Sequence, residues 1–315
     1  MIVRTVLGDI APEALGYCQC HEHIFLRKGQ SFAINPALCM DSEPLSQQEL
    51  ADYRATGGHA LVDAQPIGCG RMAGALQRAS RASGVSIIAS TGFHKLCFYP
   101  QGHWIFHARE EELAQLWTDE IMQGAFDSAD GGAPEQPLDC RAGILKIALD
   151  GCGISGRYDV LTRAALSACR SSGAPLLCHV EKGADPWQLV RLMQRRGIAP
   201  QRLILCHLDR AAPDSHLHTS LAKEGVWLEF DTIARYKYHS DEAEIALIDQ
   251  IAQAGYLHRL LLSLDTTNQR LLAYGGQIGL TYLLTVFLPA LRQHGFSPES
   301  LTQITNFNPA QALAF

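Results

Sequence analysis

Residues 175–207 read PLLCHVEKGADPWQLVRLMQRRGIAPQRLILCH, a stretch in which two short apolar runs enclose one segment of helical spacing. The runs Pro175–His179 and Leu203–His207 are rich in Leu and Ile, as is typical of parallel strands that are buried on both faces. Between them, Pro186–Arg195 repeats its apolar residues with helical periodicity, and Gly197 suits the left-handed conformation that ends a helix. The stretch therefore predicts a strand, a helix and a second, parallel strand.

The same alternation continues along most of the chain, and helical spacing recurs at Leu161–Cys169 and Glu242–Ala254. Six further apolar runs are predicted to be strands: Gly16–His23, His59–Gln65, Ser86–Thr91, Ala142–Ile147, Val226–Phe230 and Leu260–Leu264. Eight strands that alternate with helices over about 250–300 residues are typical of a closed barrel. An open doubly wound sheet competes, but no G-x-G-x-x-G motif follows the first strand. We predict an α/β protein, a (β/α)8 TIM barrel that forms a single domain over residues 1–315.

The composition excludes several classes of protein. The 315 residues are 47% hydrophobic and 18% charged, with a formal net charge of −6, which is typical of a globular rather than a disordered chain. The 26 Lys and Arg residues against 32 Asp and Glu residues, without a basic block, argue against nucleic acid as a partner. Because no apolar run reaches the roughly 18–20 residues needed to cross a bilayer, no membrane span is expected.

The N-terminal sequence and the cysteines indicate the cellular compartment in which this protein is expected to lie. Asp9 and Glu13 fall where a secretory signal peptide needs an apolar core. The 10 cysteines include no C-x-x-C pair, and so many cysteines without a signal peptide indicate a reducing cytosol, where thiols stay free. We therefore expect a cytoplasmic protein whose cysteines have no catalytic or metal-binding role, with Cys178 and Cys206 buried because they lie inside apolar runs.

Metal-binding types of side chain occur where the predicted strands end, which is where a barrel places its chemistry. They are His21 and His23, Lys146, His179, His207 and Asp265. On a strand, residues two apart face the same side, so His21 and His23 are able to grip one ion together. A single His on an apolar strand is usually a core residue, but four at one mouth with a carboxylate favour zinc or a similar divalent ion.

Lys146 does not fit such a site as an ordinary ammonium, because metal ions would repel it. Three alternatives follow from the residue alone. It points away and is structural, it is a desolvated amine that forms a Schiff base, or it reacts with CO2 to give a carbamate whose oxygens bridge two ions.

The motifs that carry these residues resemble those of the phosphotriesterase-like family of the amidohydrolase superfamily. The resemblance covers nearly the whole chain, through TVLGDIAPEALG and HEHIFL near the start, then GILKIALDG, HLDR, LLLSLD and NPAQAL. In the family, residues that match His21, His23 and Asp265 bind the more buried metal ion. Residues that match His179 and His207 bind the more exposed one.

The resemblance also selects among the alternatives for Lys146. In the family a carboxylated lysine at this position (N6-carboxylysine), together with a hydroxide, bridges both ions. The resemblance thus implies two divalent metal ions, for which Zn²⁺ is expected, and CO2 for the lysine carboxylation. It also implies a homodimer.

The implied activity is that of a binuclear metal-dependent hydrolase. Two divalent ions lower the pKa of a shared water from about 15.7 to about 7 or below, so that hydroxide attacks a carbonyl or phosphoryl centre. The ion held by His179 and His207 polarises that centre, and Asp265 is predicted to pass the proton to the leaving group. Asp209, two residues after His207, is interpreted as the partner that orients a ligand ring, with a loop ion pair to Arg210 as the alternative.

Substrate choice is expected to depend on the loops after the third and seventh barrel strands. Arg235 and Lys237 in DTIARYKYHSDE are candidates to hold an anionic group, with solvated loop cations as the alternative. His94 and Tyr99 lie in the aromatic segment TGFHKLCFYPQGHW, which we interpret as a pocket wall. Relatives that act on phosphorylated lactones tend to have Arg three residues after the last ligand, where this chain has Asn268. A phosphorylated substrate is therefore not favoured.

The leading hypothesis is hydrolysis of a small carboxylic ester or lactone at a small-molecule site. Phosphoester or phosphotriester hydrolysis at the same residues is the alternative within this class of enzyme. Two alternatives come from other classes, namely a Schiff-base lyase that uses Lys146 and a catalytically silent metal-binding barrel.

Overall fold

The sheet structure consists of a short hairpin and eight parallel strands within residues 1–132, 134, 136–210 and 215–315, which this computed structural model describes. The antiparallel hairpin joins β1 (Val3–Thr5) to β2 (Gly8–Ile10). The parallel strands pair in chain order: β3 (Cys18–Glu22), β4 (Ala60–Asp63), β5 (Ser86–Gly92), β6 (Ala142–Leu149), β7 (Leu176–Val180), β8 (Leu203–Cys206), β9 (Trp227–Phe230) and β10 (Leu260–Leu262). All eight predicted strands and the predicted (β/α)8 barrel are confirmed.

Helices connect the strands and bury an apolar face against the sheet. Their bounds are α1 (Gln30–Ile34), α2 (Glu43–Ala55), α3 (Ala73–Ser83), α4 (Glu110–Met122), α5 (Arg157–Ser172), α6 (Trp187–Arg195), α7 (Ser215–Lys223), α8 (Asp241–Gln253), α9 (Leu288–His294), α10 (Pro298–Thr302) and α11 (Asn308–Leu313). The three predicted helical segments correspond to α5, α6 and α8. Among the described residues, no helix has both the length and the apolar character that a membrane span requires.

One backbone hydrogen bond and several side-chain hydrogen bonds join the last and first strands of the barrel. The Asp265 backbone N–H donates to the His21 carbonyl over 3.1 Å, and the His21 N–H donates to the Ser263 hydroxyl over 2.8 Å. Glu22 points away from the barrel axis and accepts from the Leu264 N–H over 2.8 Å. Because backbone groups buried at this seam would otherwise lack partners, these contacts replace the missing ladder.

Apolar residues fill the lower part of the barrel interior, and polar residues replace them towards the carboxyl ends of the strands. Ile144 and Leu177 belong to the interior apolar cluster. Residues two apart on a strand face the same side, so Lys146 and His179 point into the same interior one layer higher. Both are buried, Lys146 completely. The alternation of β6 and β7 thus brings an amine and an imidazole to the mouth.

An irregularity in β3 lets both histidines of the H-x-H motif face the mouth. The pairing of β3 with β4 shifts register within Gln19–Glu22. Before the shift, Cys18 and Cys20 belong to the interior apolar cluster, and after it His21 and His23 line the cavity at the mouth. A bulge adds one residue to a strand and so exchanges its two faces.

Candidate metal centre

His21, His23 and Asp265 form the first group of candidate ligands. The His23 Nε2 atom lies 3.5 Å and the His21 Nε2 atom 3.8 Å from Asp265 Oδ1. Two ligand atoms at roughly 2.05 Å from a tetrahedral ion lie about 3.3 Å from each other. The ligand atoms of all three side chains lie within 4.8 Å of one another. They therefore fit one divalent ion with little adjustment.

His179 and His207 form the second group. His207 Nδ1–H donates to Asp231 Oδ1 over 2.7 Å, and His179 Nε2 lies 3.3 Å from Glu181 Oε2. A carboxylate only accepts hydrogen bonds, so these outer ring nitrogens carry the protons. The inner atoms, His207 Nε2 and His179 Nδ1, are then two lone pairs only 2.8 Å apart. Two facing lone pairs repel unless a cation lies against both, and this arrangement fits a second metal ion.

Asp231 links the two groups. Its Oδ2 accepts from His21 Nδ1 over 2.8 Å, while its Oδ1 accepts from His207. Burial would raise the pKa of Asp231, but the two rings outweigh it and hold that pKa well below its usual value. An ionised Asp231 thus fixes the tautomer of one histidine in each group.

Asp209 was predicted to orient a ligand ring, but it is Asp231 that contacts the histidine rings. Asp209 Oδ2 instead accepts from the Thr232 N–H over 2.7 Å and from the Thr232 hydroxyl over 2.8 Å. Asp231 directly follows β9, at the end of a barrel strand. A carboxylate at that position is the same signal that identified Asp265, and it could have identified Asp231 as well.

Lys146 lies beside the first group. Its Nζ is completely buried and 3.1 Å from His21 Nε2, and no carboxylate of the described residues forms an ion pair with it. Burial and this amine lower the pKa of His21 to about 3. A buried ammonium without a counter-charge is costly, whereas a carbamate would supply anionic oxygens at the same place. The surroundings of Lys146 therefore fit the carboxylated form.

A cavity of about 230 Å³ opens above these side chains. All five side chains of the two ligand groups line it, whereas Lys146 does not. The lining also includes Gln65, His94, Lys95, Phe98, Glu181, Arg210, Thr232, Arg235 and Tyr238. At one side, Lys95 Nζ donates to Glu181 Oε2 over 2.6 Å and Arg210 donates to Glu181 Oε1 over 3.2 Å. The mouth is thus polar and carries more cationic than anionic side chains outside the ligand groups.

Of the four predicted substrate contacts, His94 and Arg235 line the cavity. Arg235 forms an ion pair with Asp265 Oδ2 at 2.8 Å and also donates to the Asp265 backbone carbonyl. The Tyr99 hydroxyl accepts from the His94 N–H over 2.9 Å, so Tyr99 supports the wall from behind. Lys237 lies outside the lining, with its Nζ 4.7 Å from the centre of the Tyr238 ring.

The side chains of Asn268 and Arg270, which follow Asp265, bind backbone carbonyls. The Asn268 side chain donates to the Pro36 and Cys39 carbonyls, and Arg270 donates to the Ile233 and Ala234 carbonyls. Both side chains therefore hold loops, and Arg270 is not available to bind a substrate anion.

Two candidate ligands lie on strained backbone. His207 has φ of 63° and Asp265 has φ of 49°, both in the left-handed region that non-glycine residues rarely adopt. His207 follows Cys206, whose side chain points into the interior, so regular strand geometry would turn His207 outward. The left-handed conformation turns it towards the mouth instead, and such strain is typical of functional sites.

A (β/α)8 barrel with histidines and an aspartate gathered at the carboxyl ends of its strands defines a metal-dependent hydrolase. The comparisons with known proteins agree. The model of the phosphotriesterase family matches residues 1–313, so the chain belongs to this family, and the resemblance found in the sequence is confirmed. The chain is a hydrolase, as its relatives are.

Three relatives illustrate the similarity. The phospho-furanose lactonase of Mycoplasmopsis synoviae is 32% identical, over 99% of this chain and 91% of its own length. The phosphotriesterase homology protein of Escherichia coli is 29% identical, over 94% of this chain and 97% of its own. The crystal structure of a lactonase from Listeria monocytogenes superposes with a TM-score of 0.90 at 25% identity, over 100% of this chain and 99% of that one.

Proposed function

We propose that this protein hydrolyses a small carboxylic ester or lactone with a pair of divalent metal ions, of which Zn²⁺ fits the ligands best. The observation that carries the proposal is the pair of facing lone pairs on His179 and His207, 2.8 Å apart. A second group of ligands lies beside it, and Asp231 contacts one ring of each. Two imidazoles, each held by a carboxylate on its outer nitrogen, are typical of a metal site.

Each of the two ligand groups would hold one of the ions. His21, His23 and Asp265 would hold one ion, His179 and His207 the other, and Lys146 as N6-carboxylysine would bridge them. When bound, such ions lower the pKa of water so that hydroxide is available at neutral pH, and they polarise a carbonyl group.

We assign the proton transfer to Asp265. Hydrolysis adds the hydroxyl of water to the acyl carbon and breaks the bond to the leaving oxygen, which must gain a proton. Burial would raise the pKa of Asp265, but Arg235 and His23 hold it well below its usual value. Asp265 is therefore ionised at neutral pH, and it accepts the proton and returns it to the leaving oxygen. Arg235 keeps the carboxylate aimed at the mouth.

The surroundings of the cavity favour an unphosphorylated substrate. Of the three relatives described above, two are lactonases, and one of these is a phospho-furanose lactonase. In this chain Asn268 and Arg270 bind backbone carbonyls, and Lys237 does not line the cavity. A dianionic phosphate would have to compete with Glu181 for Lys95 and Arg210, and with Asp265 for Arg235. The ester or lactone carbonyl remains as the reacting group.

A matched substrate panel tests the proposal. The full chain is loaded with Zn²⁺ in bicarbonate, and proton release is measured for a lactone, its open-chain methyl ester, its phosphorylated form and an aryl phosphotriester. We expect turnover of the first two, and its loss in His179→Asn, which removes one ligand. Preference for the phosphorylated or phosphotriester substrates would establish phosphoester-related specificity instead. Failure of every substrate with at least two ions bound would identify a silent metal-binding barrel.

A further inference from the structure

A second cluster of metal-binding side chains lies behind His207 and takes no part in the proposed reaction. Asp209 comes from the turn after β8, His239 from the loop after β9, and Glu244 from the first turn of α8. One ligand atom of each lies within 4.8 Å of the others. Asp209 and Glu244 are each only 1% exposed.

The carboxylates of this cluster have too few partners. Asp209 Oδ1 and both carboxylate oxygens of Glu244 are buried, and no described residue donates a well-directed hydrogen bond to them. Burial and the neighbouring Asp209 raise the pKa of Glu244 well above its usual value. A buried anion that receives no hydrogen bond is among the most costly groups in a protein interior. When these carboxylates are ionised, their oxygens therefore require a positive charge beside them.

The hydrogen bonds around His239 show a matching excess of acceptors. His239 Nδ1 lies 3.2 Å from the Ser240 carbonyl, which only accepts, so the ring proton belongs on Nδ1. The Thr232 hydroxyl donates to Asp209 over 2.8 Å and has no second proton for the ring. In the neutral imidazole, His239 Nε2 is then a lone pair that faces the Thr232 oxygen and Glu244 Oε2, each at 3.0 Å.

We propose that Asp209, His239 and Glu244 form a further divalent-cation site, distinct from the proposed catalytic pair. Two carboxylates and one imidazole suit Zn²⁺ or Mn²⁺ better than Ca²⁺ or Mg²⁺, which take oxygen ligands. The ion joins the turn after β8, the loop after β9 and the start of α8. It thereby fixes Thr232, which lines the cavity, and its role is structural.

The test counts ions in the full chain. Protein stripped with a chelator is titrated separately with Zn²⁺ and with Mn²⁺, and bound metal is measured by mass spectrometry. We expect about three equivalents in the unaltered protein and about two in Glu244→Gln and in His239→Asn. Glu242→Gln, an exposed residue in the same helical turn, is the matched control and keeps all three.

A second arm separates this site from the catalytic pair. A chain with His21→Asn and His179→Asn should still bind about one equivalent of metal, and this ion should raise Tm by a few degrees. Adding Glu244→Gln to that chain should abolish both the bound ion and the rise in Tm. His239→Asn changes a partly exposed side chain and serves if Glu244→Gln does not fold, as judged by circular dichroism. Equal metal content with and without Glu244 or His239 would overturn the proposal. A Glu244→Gln chain that is more stable and binds as much metal would also overturn it. That result would show that Glu244 in the unaltered protein is a neutral, protonated carboxyl and not a metal ligand.

Discussion

Replacing Asp231 by Asn should weaken both proposed catalytic ions at once. The carboxylate accepts from His21 over 2.8 Å and from His207 over 2.7 Å. An amide of the same shape has one accepting oxygen, so one ring N–H must face an NH2 group. Loss of the outer partner of a metal-bound histidine typically costs about 10–100-fold in metal affinity, or about 1.4–2.8 kcal/mol. Because the two rings share one carboxylate, we expect about this loss at one position and a smaller loss at the other.

The measurement is competition for Zn²⁺ with a chromophoric chelator, which resolves the separate dissociation constants. Glu181→Gln provides a contrast, because Glu181 contacts only His179 among the four histidines and should weaken one ion alone. Asp52→Asn, on the exposed face of α2, is the matched control and should change neither. If Asp231→Asn binds both ions as tightly as the unaltered chain, then Asp231 does not orient the ligand rings.

Three further predictions concern single side chains. Lys146→Ala should lose bound metal and activity together. Short carboxylic acids should partly restore both, because their carboxylate replaces the carbamate. Metal content and activity are measured with and without added acid. Arg235→Met should lower kcat by up to about 100-fold with little change in KM, because Arg235 holds the Asp265 carboxylate at 2.8 Å. Asp9→Asn should cost about 0.5 kcal/mol in urea unfolding at pH 7, because Arg4 lowers the pKa of Asp9. That stability exists above the unfolded pKa and is lost as pH falls through the folded one, so the stability difference between the two chains should shrink below about pH 4, the usual range of an Asp carboxyl.

Each of these has a contrary result. Borohydride trapping of a substrate on Lys146 would indicate a Schiff base rather than a carbamate. A large rise in KM with constant kcat in Arg235→Met would show that Arg235 binds substrate, as the sequence analysis expected. A constant stability difference between pH 7 and pH 3 would show that the Arg4–Asp9 pair is not the cause.

The strands and ligand candidates were predictable because they depend on local patterns. Continuous apolar runs indicate buried parallel strands, and a histidine after such a run lies at the mouth of a barrel. The register shift in β3 was not predictable, because a bulge depends on pairing with β4 and leaves no mark in the alternation of CQCHEH. The i, i+2 argument for His21 and His23 holds only beyond that shift.

Contacts between loops were the least predictable part of the site. Arg235 and Lys237 are two residues apart in one loop, yet only Arg235 lines the cavity, and its charge is directed to Asp265. Asp209 and Asp231 illustrate the same limit, since both follow barrel strands and only the three-dimensional packing decides which one reaches the histidines. Composition and spacing identify such residues as candidates, but pairing between distant segments assigns their partners.

The left-handed backbone at His207 and Asp265 has a consequence for how this protein could evolve. A non-glycine residue in that conformation costs about 1–2 kcal/mol, so His207→Gly should relieve strain while it removes a ligand. Selection for thermostability alone would then favour variants that have lost the chemistry. A stability-directed library should therefore hold both positions constant and seek its gains on the helices.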